Sequence, residues 1–492
     1  MRADAVLDAP VKRLWLTDAV ELVRIAVPTG FANLLEYVPV SVGLYLVGRS
    51  GSAAELDAMA MARCYFNVTG MSVAYGLISA LRTLSPQACG GGKSIELQGV
   101  YAQRALVVVA VGCVPSVLFA LNTKRLLILL GQPVLLSTMA QDYALRLLPA
   151  LVGMALMTIL QRVMTAEGLV MANFYICLAV FCASPLIQVV LIDRYGWLGA
   201  AWASAVYNSL YVFLQMPTMI YYGLGHVFVP RRAAFSASGL KQYLALALPG
   251  LAFTLIEWWS LEFAVLLGGT RKSAVAVVGA LATCLNLEAC FEMGWLGLMV
   301  ALSIKVGAAV GAGDAQKAKR FATLGIALAA ALSVFIGFGL VLVTDPLARL
   351  YLHEADSVKL CRRCVPLLAL MTGVNGLNIT LQGGLSGAGL PNKIAYANLF
   401  AWVFVGVPLG LVLVLGLRLN QQAAPAILLS ASAACAASFL AQLGIIRGHD
   451  WEFSVAAAAV RLAEVDTNTA LESPLLADVE ESRAPLSKAS RS

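Results

Sequence analysis

About twelve long apolar runs, separated by short segments with charged residues, proline or glycine, decide what this chain can fold into. Each run is long enough for an α-helix to cross the hydrocarbon core of a bilayer, which takes about 20 residues. The approximate ranges are 21–47, 62–82, 102–122, 138–158, 172–192, 197–222, 242–268, 277–304, 320–344, 362–384, 394–416 and 424–446. Because lipid offers no partner for backbone N–H and C=O groups, such spans must be helical. The sequence therefore predicts an all-α polytopic membrane protein.

The composition agrees with this prediction. Of the 492 residues, 60% are hydrophobic and 12% are charged, against roughly 25% charged in soluble domains. The net charge of +7 comes from Lys and Arg scattered in short loops, where basic residues report topology rather than nucleic-acid binding. Their distribution favours cytosolic loops at Lys93, at Arg231 and Arg232, and at Lys305. An even number of spans then places both termini in the cytosol.

Cysteine usage gives no sign of a metal centre. Most of the ten cysteines fall inside apolar runs, where a thiol behaves as a small hydrophobe. Cys361 and Cys364 form a C-x-x-C sequence without a second Cys or His pair nearby, so a coincidence at a helix end is favoured over metal binding. We predict no disulfide framework, no metal and no cofactor.

The widest gap between apolar runs predicts two lobes of six helices each. We assign residues 1–20 to a cytosolic N-terminal segment, 21–222 to an N-lobe, 223–241 to an interlobe linker and 242–446 to a C-lobe. The remaining residues, 447–492, are polar and are predicted to be disordered. We expect the protein to act as a monomer.

An internal repeat supports the two lobes. A constant offset of about 221 positions superposes Pro28 on Pro249, Glu36 on Glu257, Gly48 on Gly269, Gly90 and Gly92 on Gly311 and Gly313, Leu160 and Gln161 on Leu381 and Gln382, and Gly168 on Gly389. Six spans return the chain to its starting side, so the two copies run parallel. Transporters built from paired repeats hold substrate near the bilayer midplane, where one half moves against the other.

Carboxylates inside the spans are the candidate functional residues, because an ionised side chain at the bilayer centre costs about 2.5–3.5 kcal/mol on insertion scales. Glu36 and its repeat mate Glu257 lie mid-span, and Glu262 follows Glu257 on the same helix. Glu288 and Glu292, four residues apart, share one helix face. Such groups can exchange a proton for a cation. The alternative, that each carboxylate only fixes helix packing, stays open.

Aromatic and amide side chains complete the candidate site. Trp258 adjoins Glu257 and could stack on an organic cation, although an anchoring or core role is equally consistent with its position. Asn286, Asn375 and Gln382 offer neutral hydrogen bonds along the spans of the second half.

Several motifs together resemble the multidrug and toxic compound extrusion (MATE) family, in its eukaryotic branch, over roughly residues 20–445. They are N-V-T-G at 67–70, A-L-R-T-L-S-P-Q-A-C-G at 80–90, Y-x-Q-R-A at 101–105, L-G-Q-P at 130–133, G-W-L-G-A-A-W-A from 196, E-W-W-x-x-E at 257–262 and V-G-A-A-V-G-A-G at 306–313. The resemblance implies two six-helix lobes around a central cleft. It also implies export of organic cations or metabolites in exchange for protons or, in some bacterial members, sodium.

The resemblance also implies roles for individual residues. Glu257 and Glu262 fall on acidic positions associated with transport, whereas Asn286 and Asn375 fall where some relatives carry an acid. Departures are equally marked. Arg82 replaces the common Asp of A-L-D-T-L, Lys305 begins the segment that replaces R-V-G-N, and Glu36 stands where many relatives carry Gln. The acid that bacterial members place on the first helix is replaced by Gly43.

The leading hypothesis is a proton-coupled antiporter for organic cations, drugs or metabolites, with sodium less favoured as the coupling ion. One alternative is a superfamily member that moves a lipid-linked or anionic metabolite. Another is a transport-dead receptor. A polytopic enzyme is disfavoured because the only histidines, His226, His353 and His449, lie in loops or the tail without a nucleophile motif. The plasma membrane is favoured, and a vacuolar or other acidic organelle membrane is also compatible.

Overall fold

The computed structural model describes residues 2–93, 95–269, 274–351, 355–416 and 423–469. Within these ranges, only the backbone is described for residues 2–13, 50, 261–269, 274–279, 282, 343–351, 355–357, 415, 416 and 464–469. Every regular element in the described residues is helical.

Ten α-helices form the first half of the chain. They are α1 (Arg2–Ser50), α2 (Ala53–Phe66), α3 (Ser72–Ile78), α4 (Leu81–Gly90), α5 (Ile95–Gly112), α6 (Val114–Leu121), α7 (Thr123–Leu129), α8 (Val134–Ala166), α9 (Val170–Tyr195) and α10 (Gly199–Tyr221). A π-helical turn, Asn67–Met71, joins α2 to α3, and a 3-10 turn, Gly196–Leu198, joins α9 to α10.

Two 3-10 turns, Gly225–Phe228 and Arg232–Phe235, lie in the predicted linker. The second half contains α11 (Ala237–Gly269), α12 (Ala274–Gly311), α13 (Ala315–Tyr351), α14 (Ala355–Gly387), α15 (Pro391–Leu399), α16 (Val407–Leu411), α17 (Ala423–Arg447) and α18 (Trp451–Thr469). The π-helical segments Phe400–Gly406 and Val412–Gly416 flank α16.

The described helices provide twelve membrane spans. Eleven stretches are long and apolar enough to cross a bilayer. One of them, Val170–Tyr221, has 52 residues and contains both α9 and α10, which brings the number to twelve. The predicted all-α polytopic class and span count are therefore confirmed.

The buried hydrophobic residues form one core in the N-lobe and two adjoining cores in the C-lobe. The first helix of each half takes part in both lobes. Leu22 of α1 is buried among C-lobe residues, whereas Tyr243 and Ala247 of α11 are buried in the N-lobe core. This reciprocal crossing of α1 and α11 joins the lobes at the end of the molecule where α1 begins, which we call the basal end.

Polar contacts close the basal end between the lobes. Thr83 Oγ1 donates to the carbonyl of Ser386 at 2.5 Å, and Gln87 Nε2 donates to that of Gly387 at 2.9 Å. Ser303 Oγ donates to the carbonyl of Arg82 at 2.7 Å. These three bonds join α4 of the N-lobe to α12 and α14 of the C-lobe.

Two ion pairs tie the start of α1 to the C-lobe. The nitrogen of Lys305 lies 2.6 Å from a carboxylate oxygen of Glu21, and Arg320 pairs with Asp18. Lys305, one of the departures from the family pattern, therefore belongs to this basal contact.

Glycines at matched positions of the two repeats allow α4 and α12 to cross closely. A Cβ at Gly90 would overlap the Ala308 carbonyl, and one at its repeat mate Gly311 would overlap the Gln87 carbonyl. Gly92 and its mate Gly313 both have positive φ, 64° and 82°. Shared backbone conformation at matched positions supports the internal duplication.

The predicted disorder of residues 447–492 is wrong for residues 451–469, which form α18. Buried positions Trp451, Ser454, Ala458 and Leu462 recur every three or four residues, the spacing of one helix face. That face packs against α12 and α13, and Arg461 Nη2 donates to Gln87 Oε1 at 2.9 Å. The overall polarity of the segment hid this amphipathic pattern. Residues 470–492 lie outside the described residues.

Gly90→Ala and Gly311→Ala are each expected to lower the thermal unfolding midpoint of the purified protein. The added methyl group must push α4 and α12 apart, and overpacking of this kind costs about 1–3 kcal/mol. Gly444→Ala is the matched control, because nothing lies within 4 Å of a Cβ built there. Equal midpoints for all three variants, measured by thermal unfolding in detergent, would contradict the close crossing.

Candidate functional site

Three carboxylates, Glu257 of α11 and Glu288 and Glu292 of α12, form a cluster that interacts electrostatically. Glu288 is 3% exposed, whereas Glu257 and Glu292 are half-buried. Asn375 of α14 donates through Nδ2 to Glu288 Oε1 at 3.0 Å, and Cys435 of α17 lies 3.6 Å from the amide oxygen of Asn375. We call Glu257, Glu288 and Glu292 the carboxylate cluster.

An arginine of the N-lobe lies within electrostatic range of one carboxylate of the cluster, Glu257. Arg82, on α4, interacts electrostatically with Glu257 across the lobe boundary. Its side chain has one weak contact, Nη1 to the sulfur of Met299 at 3.9 Å, and its buried Nε has no hydrogen-bond partner in the described part of the chain. Arg82, which replaces the Asp that is common in the family, therefore lies at the candidate site.

Arg162, on α8, extends this line of charges into the N-lobe. It interacts electrostatically with Arg82 on one side and with Glu36 on the other. Glu36 in turn accepts hydrogen bonds through Oε1 from Gln161 Nε2 at 2.7 Å and from the Cys177 thiol at 3.2 Å. These bonds hold α1, α8 and α9 together, so Glu36 lies in a separate N-lobe site and not in the carboxylate cluster.

The repeat relates the carboxylate cluster to a cavity in the N-lobe. At the offset of 221, Glu288, Glu292 and Asn375 correspond to Asn67, Met71 and Met154. All three counterparts line an N-lobe cavity, together with Glu36 and Arg63. At these three positions the two carboxylates and the amide of the C-lobe are replaced in the N-lobe by one amide and two methionines, whereas Glu36 keeps the acid of its repeat mate Glu257.

Aromatic residues beside Glu257 contact the N-lobe. The ring of Trp258 lies 5.9 Å from the ring of Tyr75, centroid to centroid, and the indole nitrogen of Trp259 donates to the carbonyl of Val68 at 3.1 Å. The tryptophans therefore connect α11 to α3 and to the π-helical turn before it. A stacking role of Trp258 with a bound cation stays a prediction.

Not all of the other predicted site residues lie at the carboxylate cluster. Asn286 is exposed and, two residues from Glu288, lies about 200° around α12 from it. Gln382 is buried, and its Nε2 has no partner among the described residues. It follows Asn375 by seven residues, so the two share a face of α14. The side chain of Glu262 lies outside the described residues.

The C-x-x-C cysteines are packed in the C-lobe core. Cys361 and Cys364 are fully buried, and the sulfur of Cys361 lies 3.7 Å from that of Cys284. Within the residues that the structure describes, no group of three or more His, Cys, Asp or Glu side chains is placed to hold a metal ion.

Two parallel lobes of membrane-spanning helices, with charges of both signs where they meet, are typical of a membrane transporter. The MatE family model matches the chain twice, over residues 28–191 and 250–412. The chain belongs to this family of membrane transporters, as its motifs predict, and is not an enzyme. The second match begins 222 residues after the first and ends 221 residues after it, in agreement with the offset of the sequence repeat.

Similarity to individual relatives supports the family assignment. The chain is 29% identical to the Multidrug and toxin extrusion protein 2 of Mus musculus, over 82% of this chain and 70% of that protein. It is 30% identical to Protein DETOXIFICATION 16 of Arabidopsis thaliana, over 82% and 81% respectively. Its fold matches the crystal structure of the eukaryotic MATE transporter AtDTX14 with a TM-score of 0.86 at 25% identity, covering 91% of this chain and 99% of that one.

Asn375→Leu is expected to destabilise the protein by about 1–3 kcal/mol, because it leaves the buried carboxylate of Glu288 without its amide donor. The double variant Glu288→Leu/Asn375→Leu should lose less stability than the sum of the single variants, since neither polar partner remains. Thermal unfolding of the four proteins in one detergent measures this coupling. Additive losses would show that the hydrogen bond contributes nothing.

Proposed function

We propose that the protein is a secondary antiporter that exports organic cations, drugs or metabolites in exchange for protons by alternating access. The observation that carries the proposal is the position of Glu257, half-buried on α11, with Arg82 of the N-lobe and Glu288 of the C-lobe as its charged neighbours. The relatives named for extrusion of drugs and toxins support the general class.

Competition for one carboxylate supplies the coupling. Two negative neighbours, Glu257 and Glu288, repel each other in a surrounding of low dielectric. Either a proton or a substrate cation bound at Glu257 relieves that repulsion, so the binding of one displaces the other. In this scheme a proton releases the cargo on the outer side, and loss of the proton allows cargo to be recaptured from the cytosol.

The neighbouring residues set the strength of binding. Asn375 holds Glu288 through a hydrogen bond, which fixes the carboxylate against the cluster. Glu292 adds negative charge toward both Glu257 and Glu288, so it raises the attraction for a cation. Trp258 lies beside Glu257 with its ring against Tyr75, and the remaining part of its ring surface is available to an organic cation.

The basal end is the cytosolic end in this proposal. Basic loops favour a cytosolic N-terminus, and with that orientation the hydrogen bonds of Thr83, Gln87 and Ser303 would close the protein toward the cytosol. Transport then requires these contacts to break and re-form in each cycle. We place the protein in the plasma membrane as a monomer, with protons rather than sodium as the coupling ion.

Glu257→Gln is expected to abolish efflux of an organic cation driven by a pH gradient. The amide cannot exchange a proton, so the competition is lost while the size of the side chain is kept. Proteoliposomes loaded with 1-methyl-4-phenylpyridinium, with pH and sodium gradients imposed separately, measure the exchange.

Glu452→Gln, at an exposed position of α18, is the matched control and should transport like the wild type. Retained proton-driven exchange in the Glu257→Gln variant, with the protein folded and inserted, would remove the assigned role of Glu257. Exchange driven by sodium alone would contradict proton coupling.

A further inference from the structure

We propose that α18 is a strap across the basal end that holds the two lobes closed there, so that its second half must leave the N-lobe before the basal end can open. We call α18 the basal strap. Because it lies outside the membrane spans and away from the carboxylate cluster, it acts in the same way for any substrate and any coupling ion.

The first half of the basal strap is anchored on the C-lobe. A short turn joins it to α17, and Trp451 and Ala458 are buried in a C-lobe core. Ser454 Oγ donates to the carbonyl of Ala388 at 2.8 Å, and Nε2 of His449 lies 2.7 Å from the same Oγ. All these contacts are made within the C-lobe, so this half of the helix moves with the C-lobe.

The second half of the basal strap contacts the N-lobe. Leu462 is buried as part of the N-lobe core. A Cβ built at Gly91, the residue after α4, would lie 2.8 Å from Cδ1 of Leu462, so the leucine packs directly on the backbone there. The strap also contacts the 3-10 turn Arg232–Phe235, which packs on α5 of the N-lobe. One helix therefore has its buried face in both lobes.

A hydrogen bond from Arg461 holds the N-lobe partner in place. Arg461 Nη2 donates to Oε1 of Gln87 at 2.9 Å, and Nε2 of the same glutamine donates to the carbonyl of Gly387 at 2.9 Å. The side chain of Gln87 is thus fixed on one side by the strap and on the other by α14. Thr83 and Ser303 contribute neutral donors to the basal contact, whereas the charged donor of Arg461 forms the stronger type of hydrogen bond.

The repeat does not account for this contact. Gly389, in the turn after α14, has a φ of 82°, and a Cβ built there would lie 2.9 Å from Arg461 Nη2. Its repeat mate Gly168 has nearly the same φ, 83°, but no atom of the described residues lies within 4 Å of a Cβ built there. The same turn is therefore covered by the strap in the C-lobe and left uncovered in the N-lobe.

This arrangement couples the basal strap to the movement of the lobes. Its first half belongs to the C-lobe and its second half contacts the N-lobe, so separation of α4 from α12 and α14 requires the contacts of Leu462 and Arg461 to break. A contact that exists in only one of two conformations shifts the balance between them by its own free energy. The strap therefore favours the conformation that is closed at the basal end.

The reactivity of a cysteine in the basal contact measures this balance. Thr83→Cys places a thiol at a position that is 1% exposed and faces the carbonyl of Ser386 across the lobe boundary, so the thiol becomes accessible when the basal end opens. The full-length protein with this reporter is treated with N-ethylmaleimide in detergent, and the modification of each cysteine is followed by peptide mass spectrometry. The reporter should react slowly in this starting protein.

Leu462→Ala and Arg461→Met, each added singly to the reporter protein, should raise the modification rate of the reporter about 10-fold or more. Each variant removes one contact to the N-lobe, and tenfold corresponds to about 1.4 kcal/mol, less than a buried Leu→Ala change usually costs. The two variants are independent, so one decides if the other does not fold. Val460→Ala, at an exposed position of the same helix, is the matched control and should leave the rate unchanged.

Two native cysteines report on general loosening of the lobes. Cys177 and Cys361 are fully buried in the N-lobe and C-lobe cores and should stay unmodified in every variant. Their modification in step with the reporter would overturn the inference, because the variants would then disturb the lobes themselves.

An unchanged reporter rate in a folded Leu462→Ala or Arg461→Met variant would also overturn the inference. The same holds if the reporter in the starting protein reacts as fast as a cysteine in an unfolded peptide, since the strap would then not hold the contact closed. The assay needs neither a substrate nor a pH gradient, so its outcome is independent of the proposed antiport.

Discussion

The cost of keeping charge away from water governs the interior of this protein. A bilayer cannot solvate an ionised side chain, so each one inside the spans must face another charge, a hydrogen-bond donor or water. The chain arranges its central charges in one succession from lobe to lobe: Glu36, Arg162, Arg82, Glu257, Glu288 and Glu292. Carboxylates lie at both ends and guanidinium groups in the middle, and the opposite charges of Arg82 and Glu257 meet across the lobe boundary.

Duplication explains the shared helical framework of the two lobes, and later divergence explains why their charged residues differ. Repeat mates keep the backbone features that build a lobe, such as the positive φ of Gly92 and Gly313. Among the central charged positions, only the pair of Glu36 and Glu257 is kept. At the offset of 221, Arg82 corresponds to Ser303 and Arg162 to Gly383, so the guanidinium groups belong to one lobe only. The asymmetry of charge was therefore added to a symmetric scaffold at few positions.

The fold was largely predictable from the sequence because hydrophobic length is a local property. The twelve spans, the repeat and the family all follow from runs and motifs along the chain. The amphipathic helix α18 was missed because its apolar stripe is diluted by polar neighbours, although the spacing of Trp451, Ala458 and Leu462 was visible. The reciprocal packing of α1 and α11 depends on contacts between residues far apart in the sequence, as in the pair of Glu21 and Lys305, which are 284 positions apart.

The sequence predicted which types of residue form the site, but not which individual residues belong to it. Buried carboxylates such as Glu257 and Glu288 stood out by type alone. No local pattern showed that Glu36 would be held by Gln161 and Cys177 in a separate N-lobe site, or that Arg82 would face Glu257. The N-lobe arginines joined the site only once the packing of the two lobes was known.

Arg82 links the electrostatics of the site to the movement of the lobes. Its backbone carbonyl accepts the bond from Ser303, and Thr83 and Gln87 beside it make the other bonds of the basal contact. These bonds involve neutral donors and backbone carbonyls, each worth only about 0.5–1.5 kcal/mol. In the proposed exchange, opening of this contact would move α4 away from the C-lobe and take the guanidinium of Arg82 away from Glu257. The charge that surrounds Glu257 would then differ between the two sides of the proposed cycle, which is the condition under which one carboxylate can bind its ligand on one side and release it on the other.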